Sequence, residues 1–404
     1  MSSGSNIDGL LRRAVEMGAS DLHLRSELPP ILRIHGEMER MRDEAPIDRD
    51  ELRTMIDDTI PERYRPTFEA MKDVDYAYEI PTLGRFRVNI LHERMGIGAV
   101  FRHIPAGVVT ADDLKLAPAL RSLCTLRRGL VLVTGPTGSG KSTTLAALID
   151  LINRTRRDHI ITIEDPIEFT HASLGCVVTQ REVGEHTSSF KSALRAALRE
   201  DPDVMLIGEL RDLETVAIAI ETAETGHLVF GTLHTTTAAS TVDRIIDQFP
   251  GAQQNQIRSM LAGSLRAVIS QTLCRRVDGG RVAAREVLFS SPAVANLIRE
   301  GKIFQIPTLM QTSKRLGMAT LNDALIELVV SGEIDPWEAH SHATDKDALL
   351  AALKARGIDP DAAKGVPLRA VELDVSRHNM RGDAADASAA NRVDPPLSIM
   401  RNRA

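Results

Sequence analysis

The sequence predicts an α/β chain: a mixed α+β segment followed by a largely parallel sheet covered by helices. Three observations carry this. Short β-rich runs at 129–134, 159–163, 204–208 and 228–233 alternate with helical stretches at 141–152, 190–199 and 212–224, the rhythm of strand–helix–strand units. Residues 1–105 interleave strand and helix signals without that rhythm. With 404 residues, 43% of them hydrophobic, the chain can bury several cores, and its length suggests two to three domains at roughly 150 residues each.

Taken in order, Ile7, Leu10, Leu11, Ala14 and Val15 recur at helical spacing and predict an opening amphipathic helix. Leu22-His23-Leu24 and Ile31–Ile34 read as short strands around Pro29-Pro30. Asp75–Tyr78 and Arg85–Val88 alternate with period two, as half-buried strands do. Residues 106–120, with Gly107, Asp112, Asp113 and Pro118, read as a linker to a motor segment over 121–345. From about residue 253 the chain reads as mostly helical, with a β-hairpin at 272–289 turned by Asp278-Gly279-Gly280. Residues 318–356 predict a small helical bundle broken at Gly332 and Pro336. From Ser376 the sequence is rich in Ala, Asp, Asn and Arg and poor in large apolar residues, a composition that predicts a disordered tail.

Several function classes are disfavoured by composition. The three cysteines, Cys124, Cys176 and Cys274, form no CxxC pair, so neither a zinc knuckle nor a disulfide framework is expected, and a reducing compartment fits. No apolar run approaches the ~18 residues of a membrane span, and the N-terminus has no signal-peptide h-region. A cytoplasmic protein is expected. A net charge of −6 and 3% aromatic residues disfavour a nucleic-acid binder.

Gly135-Pro136-Thr137-Gly138-Ser139-Gly140-Lys141-Ser142, followed by Thr143, matches GxxxxGK[ST] between an apolar strand and a helix-forming run. Glycines let successive backbone N–H groups turn inward on phosphate oxygens, and the helix adds its positive end. Lys141 is suited to the β- and γ-phosphates, and the Ser142 hydroxyl to Mg²⁺. ATP and Mg²⁺ are the expected ligands. Val204–Ile207 runs through Gly208 into Glu209, a candidate Mg²⁺ holder; Asp203 reads as a boundary residue. Ile160–Ile163 runs into Glu164, the candidate for polarising the attacking water, and Asp165, a candidate to orient water or metal.

His227 and His234 bracket another apolar strand. An extended run of that length spans ~23 Å, so the two imidazoles cannot share a metal. His234 lies on the nucleotide-facing end, within reach of a γ-phosphate, while His227 is left to face a neighbouring subunit. A cation on the transition-state charge is also needed. Arg85 and Arg87, on one strand face, and Arg102 are candidates to act in trans; Arg195, Arg199 and Arg211 are equally open on spacing.

In sequence order, Gly135–Ser142, Ile163–Phe169, Leu198–Glu209 and Thr225–Thr235 resemble the Walker A, Asp box, Walker B and His box of the secretion ATPase superfamily. Within it the chain resembles the type IV pilus retraction ATPases (PilT type). Gln180–Gly184, Leu213–Thr215, Gly84–Asn89 and Gly317-Met318 fit that group. The family's retraction segment matches Ala293–Glu300 in part, with Val294 and Ala295 in place of an Ile and an Arg. The resemblance covers roughly residues 5–345. It implies a PAS-like α+β N-terminal domain, a RecA-like P-loop ATPase domain with a helical C-terminal part, and a homo-hexameric ring. It implies ATP hydrolysis that removes pilin through an inner-membrane platform protein, with the ring bound peripherally at the pilus base, and it supports the roles of Glu164, Glu209, His227 and His234. A paralogous ATPase is a further partner to consider. The rival readings are an accessory ring component dependent on a partner motor and a hexameric nucleic-acid translocase.

Overall fold

The computed structural model of the chain describes residues 7–34, 37–81, 83–104 and 107–359. The tail from Ser376 lies outside the described residues. The N-terminal part runs α1 (Ile7–Glu16), β1 (Asp21–Arg25), β2 (Ile31–Ile34), β3 (Glu37–Arg40), α2 (Arg49–Asp57), α3 (Arg65–Met71), β4 (Asp73–Ile80), β5 (Gly84–Glu93) and β6 (Gly96–Ile104). Its six strands form one sheet in the order β3-β2-β1-β6-β5-β4, with every neighbouring pair antiparallel. One face carries Leu22, Leu24, Phe86, Val88 and Phe101 into a core shared with Leu10 and Leu11 of α1. The apolar spacing of α1 is thus the spacing of its buried stripe.

The second part runs α4 (Pro118–Arg121), β7 (Gly129–Thr134), α5 (Lys141–Thr155), β8 (His159–Glu164), β9 (Val177–Glu182), α6 (Phe190–Ala197) and β10 (Val204–Ile207). It continues through α7 (Leu213–Thr225), β11 (Leu228–Leu233), α8 (Ala238–Asp247), α9 (Gly251–Ser264), β12 (Leu265–Arg275) and β13 (Arg281–Phe289). The remaining helices are α10 (Pro292–Arg299), α11 (Ile306–Thr312), α12 (Leu321–Val330), α13 (Pro336–His342) and α14 (Lys346–Lys354). The seven-stranded sheet has the order β13-β12-β7-β11-β10-β8-β9 and is parallel except for the β12–β13 hairpin.

The central strands are buried along their whole length, which is why they read as continuous apolar runs rather than alternating ones. Their side chains still divide by pleat. Leu130, Leu132, Ile161 and Ile163 enter one core with α7, α8 and α9. Val131, Val133 and Ile160 enter the opposite core against α5. The stretch read as a linker contributes Ala111, Leu116 and Leu120 to that second core, so it is packed onto the sheet over its described residues.

Some elements escape the sequence reading, and the reasons differ. β3 is a short, fully exposed edge strand. β9 is a polar edge strand, Val-Val-Thr-Gln-Arg-Glu, with only Glu182 buried. β12 begins at Leu265, well before the expected hairpin start at 272, because a short apolar run alone does not separate strand from helix. In the retraction-like segment, Val294 and Ala295 are buried on α10, so a small apolar residue at 295 suits a position where an arginine would lose its hydration.

Candidate functional site

The phosphate-type loop leaves the end of β7 and enters α5. Gly135, Gly138 and Gly140 have φ of +139°, +78° and +84°, a region side chains disfavour. Gly135 has a second constraint. A Cβ there would stand 2.2 Å from the backbone oxygen of Gln271 on β12, so the loop is pressed onto the neighbouring strand. Gln271 is buried and spans the loop: its side-chain N–H donates to the Ser139 carbonyl at 2.7 Å, and its side-chain oxygen accepts from Thr144 Oγ1 at 2.9 Å. Sequence reasoning missed Gln271. Nothing local marks it, because its role depends on β12 lying beside β7.

Thr137, Gly138, Gly140, Lys141, Ser142 and Thr143 line a cleft of about 480 Å³. Lys141 Nζ donates to the carbonyls of Gly135 and Pro136 at 3.0 and 3.1 Å. Burial lowers its pKa, while Glu209 and Glu168 pull the other way. Ser139 is buried, and its hydroxyl has no partner among the described residues.

Two carboxylates from adjacent parallel strands meet in the cleft. Glu164 closes β8, and Glu209 follows β10 through Gly208. Gly208 sits tightly against β8: a Cβ there would lie 3.2 Å from the Glu164 Cα. Burial pushes the Glu164 carboxyl up to about 7, against the opposing hydrogen bonds from Thr162 and Gln180. Those bonds measure 2.6 Å from Thr162 Oγ1 and 3.3 Å from Gln180 Nε2. For Glu209, burial also acts upward, but Arg211 and His234 together hold its carboxyl below the usual range. Arg211 Nη2 lies 2.8 Å from Glu209 Oε2, and His234 Nε2 lies 3.1 Å from Oε1. Asp165 and Glu168 complete the acidic wall of the cleft.

His234 is thus in the cleft and His227 is not. The His227 ring Nδ1 faces the Thr222 carbonyl at 3.1 Å, at the start of β11 and away from the loop. Asp203 accepts the His159 backbone N–H at 3.0 Å and ties two strands together. The arginines divide likewise. Arg87 and Arg102, from β5 and β6 of the N-terminal sheet, line the cleft of their own chain, together with Arg211 and Arg281. Arg281 lies on β13 and was not a candidate. Arg85 shares the strand face of Arg87 but does not line the cleft; its guanidinium lies 2.6 Å from the buried Glu182. Glu182 also accepts the Ile167 backbone N–H at 3.1 Å. Arg195 and Arg199 lie on and just after α6, outside the cleft lining. Within the single chain, Arg87 and Arg102 thus stand beside the chain's own cleft, while Arg85 is held by Glu182.

Comparison with known proteins gives a consistent result. The family model described as type II/IV secretion system protein matches residues 5–314. The type IV pilus retraction ATPase PilT of Pseudomonas aeruginosa is 49% identical over 338 residues, covering 84% of this chain and 98% of that protein. A twitching motility protein of Neisseria gonorrhoeae is 49% identical over 321 residues, covering 79% and 86%. A crystal structure of the pilus retraction motor PilT with bound ADP superposes with a TM-score of 0.80 at 45% identity, covering 85% of this chain and 98% of that one.

The contacts of Gln271 predict that Gln271→Ala weakens ADP binding by up to about thirtyfold, since the two hydrogen bonds that hold the loop at Ser139 and Thr144 contribute about 1 kcal/mol each. Titration calorimetry measures this, and unchanged affinity would remove Gln271 from the site.

Proposed function

The chain belongs to the type II/IV secretion system protein family, and from that premise we propose that it is an ATP-hydrolysing motor that powers type IV pilus retraction. The observation that carries this reading is the joint presence, in one cleft, of Lys141, Glu164, Glu209, His234 and two arginines from the N-terminal sheet. The names of its relatives, a pilus retraction ATPase and a twitching motility protein, support the biological task.

The chemistry divides among the residues as follows. Backbone N–H groups of Thr137–Ser142 at the start of α5 receive the β-phosphate, and Lys141 swings from the loop carbonyls to the β- and γ-phosphates. Ser142 and Glu209 would hold Mg²⁺; a hydroxyl and a carboxylate beside the loop are the hard oxygen donors this ion takes. Bound there, the ion would offset phosphate charge. Glu164 takes the proton of the attacking water, and a carboxyl titrating near neutrality suits a general base. His234 lies within reach of a γ-phosphate and steadies Glu209. Arg87 and Arg102 supply cations to the transition state, an effect of ~10³–10⁵ in other phosphoryl-transfer enzymes.

Residues 1–105 act as the arginine-bearing module and 121–345 as the motor. The working form is a homo-hexameric cytoplasmic ring, with His227 turned to a neighbouring subunit, held peripherally at the inner membrane by a platform protein. No helix among the described residues is long and apolar enough to cross a membrane, which fits attachment through a partner. An accessory ring that depends on a partner motor is the second reading. The retained Lys141, Glu164 and Glu209 favour an active enzyme instead.

Lys141→Ala or Glu209→Ala should abolish phosphate release in a steady-state ATPase assay, and wild-type-like turnover in either variant would contradict the assignment. Because the Glu164 base works only when ionised, and its carboxyl is raised to about 7, kcat should climb between about pH 6 and 8 and level off above; Glu164→Gln should leave a low, flat profile. A strain lacking the gene should lose twitching and carry surplus surface pili. Bald cells would point to pilus assembly.

A further inference from the structure

A second cluster of metal-type ligands lies away from the nucleotide cleft, where the last strands meet the C-terminal helices. Cys274 is the penultimate residue of β12, and its side chain is fully buried. Glu338 and His342 stand one turn apart on α13. One ligand atom from each of the three lies within 4.8 Å of the others. His342 Nε2 is 3.2 Å from Glu338 Oε1, and its other ring nitrogen faces Thr272 Oγ1 at 3.4 Å.

We propose that Cys274, Glu338 and His342 form a zinc site that fastens β12 to α13. The donor set selects the ion. A thiolate with an imidazole favours zinc over Mg²⁺ or Ca²⁺, and a carboxylate is an ordinary third ligand. Spacings below 4.8 Å are compatible with three corners of a tetrahedron whose bonds are about 2.0–2.3 Å long; water takes the fourth. Thr272 lies where an outer partner of a ligating imidazole is usually found, on the ring nitrogen that does not bind the metal. The Arg275 backbone N–H donates to Glu338 Oε1 at 2.7 Å and fixes the carboxylate. Burial, helped by Glu338, pushes the Cys274 thiol up to about 12. Binding therefore releases the thiol proton to solvent, and affinity rises with pH.

The position gives the ion a mechanical consequence. Three residues before Cys274 on the same strand is Gln271, which spans the phosphate loop, and Leu273 lines the cleft. A zinc-pinned β12 would anchor the loop's support to a helix whose sequence lies far beyond it. The bland alternative is a hydrogen-bonded cluster of Glu338, His342 and Arg275 beside a buried thiol.

Full-length protein, stripped with chelator and then titrated with zinc, separates the two. After gel filtration, elemental analysis should find about one zinc per chain, and zinc should raise the melting temperature. Cys274→Ser and His342→Gln should each weaken zinc binding at least about tenfold while still binding ADP. Cobalt in place of zinc should give a thiolate-to-cobalt charge-transfer band that Cys274→Ser lacks. Wild-type protein that retains no zinc and gives no band overturns the proposal, as does zinc bound equally by both variants. Should a variant fail to fold, the wild-type metal content and the cobalt band still decide.

Discussion

The site depends on one steric constraint: the phosphate-type loop has to pass so close to β12 that Gly135 has no room for a Cβ. The parallel sheet creates that proximity by laying β12 directly beside β7. Once the loop is there, Gln271 satisfies the Ser139 carbonyl and the Thr144 hydroxyl together. A buried amide with both ends bonded avoids the penalty of an orphaned polar group and fixes the loop at the same time. Lys141 opens α5 directly after this fixed loop, with its Nζ on the Gly135 and Pro136 carbonyls.

Beside the loop, two glutamates of like type are driven apart in acidity by their surroundings. Glu164 has burial and two hydrogen bonds from uncharged donors, and its carboxyl rises to about 7. Glu209 has Arg211 and His234 against it, and they hold its carboxyl below the usual carboxylate range although burial acts upward. Divergent titration of this kind separates a proton acceptor from a charge holder. It arises from neighbours on different strands, since Arg211 follows Glu209 locally while His234 comes from the end of β11.

The N-terminal sheet enters the same cleft through Arg87 of β5 and the end of β6. Arg85 is fastened to Glu182 of the motor sheet's edge strand, and Glu182 in turn holds the Ile167 N–H. Two residues on, Arg87 lines the cleft with Arg102. A largely buried pair loses much if either partner is removed, so Arg85 works as an anchor for the strand that carries Arg87. The edge strand β9 thereby ties the arginine-bearing sheet to the Asp-box turn.

The sequence alone determined what depends on local pattern. The Gly135–Ser142 loop, the buried strands around it and the acids at Glu164 and Glu209 were legible, because loop chemistry and fully apolar strands leave a mark within a few residues. The opposite ends of β11 were legible too, since an extended chain separates His227 from His234 by geometry. Tertiary structure decided what depends on partners. Gln271 acts only because β12 neighbours β7; Arg85 and Arg87 share one strand face yet part company only because Glu182 meets the first. Arg281, and the meeting of Cys274 with Glu338 and His342, come from a hairpin and a helix brought together by folding. In each case the deciding contact joins residues distant in sequence, and no local pattern encodes the strand order that brings them within reach.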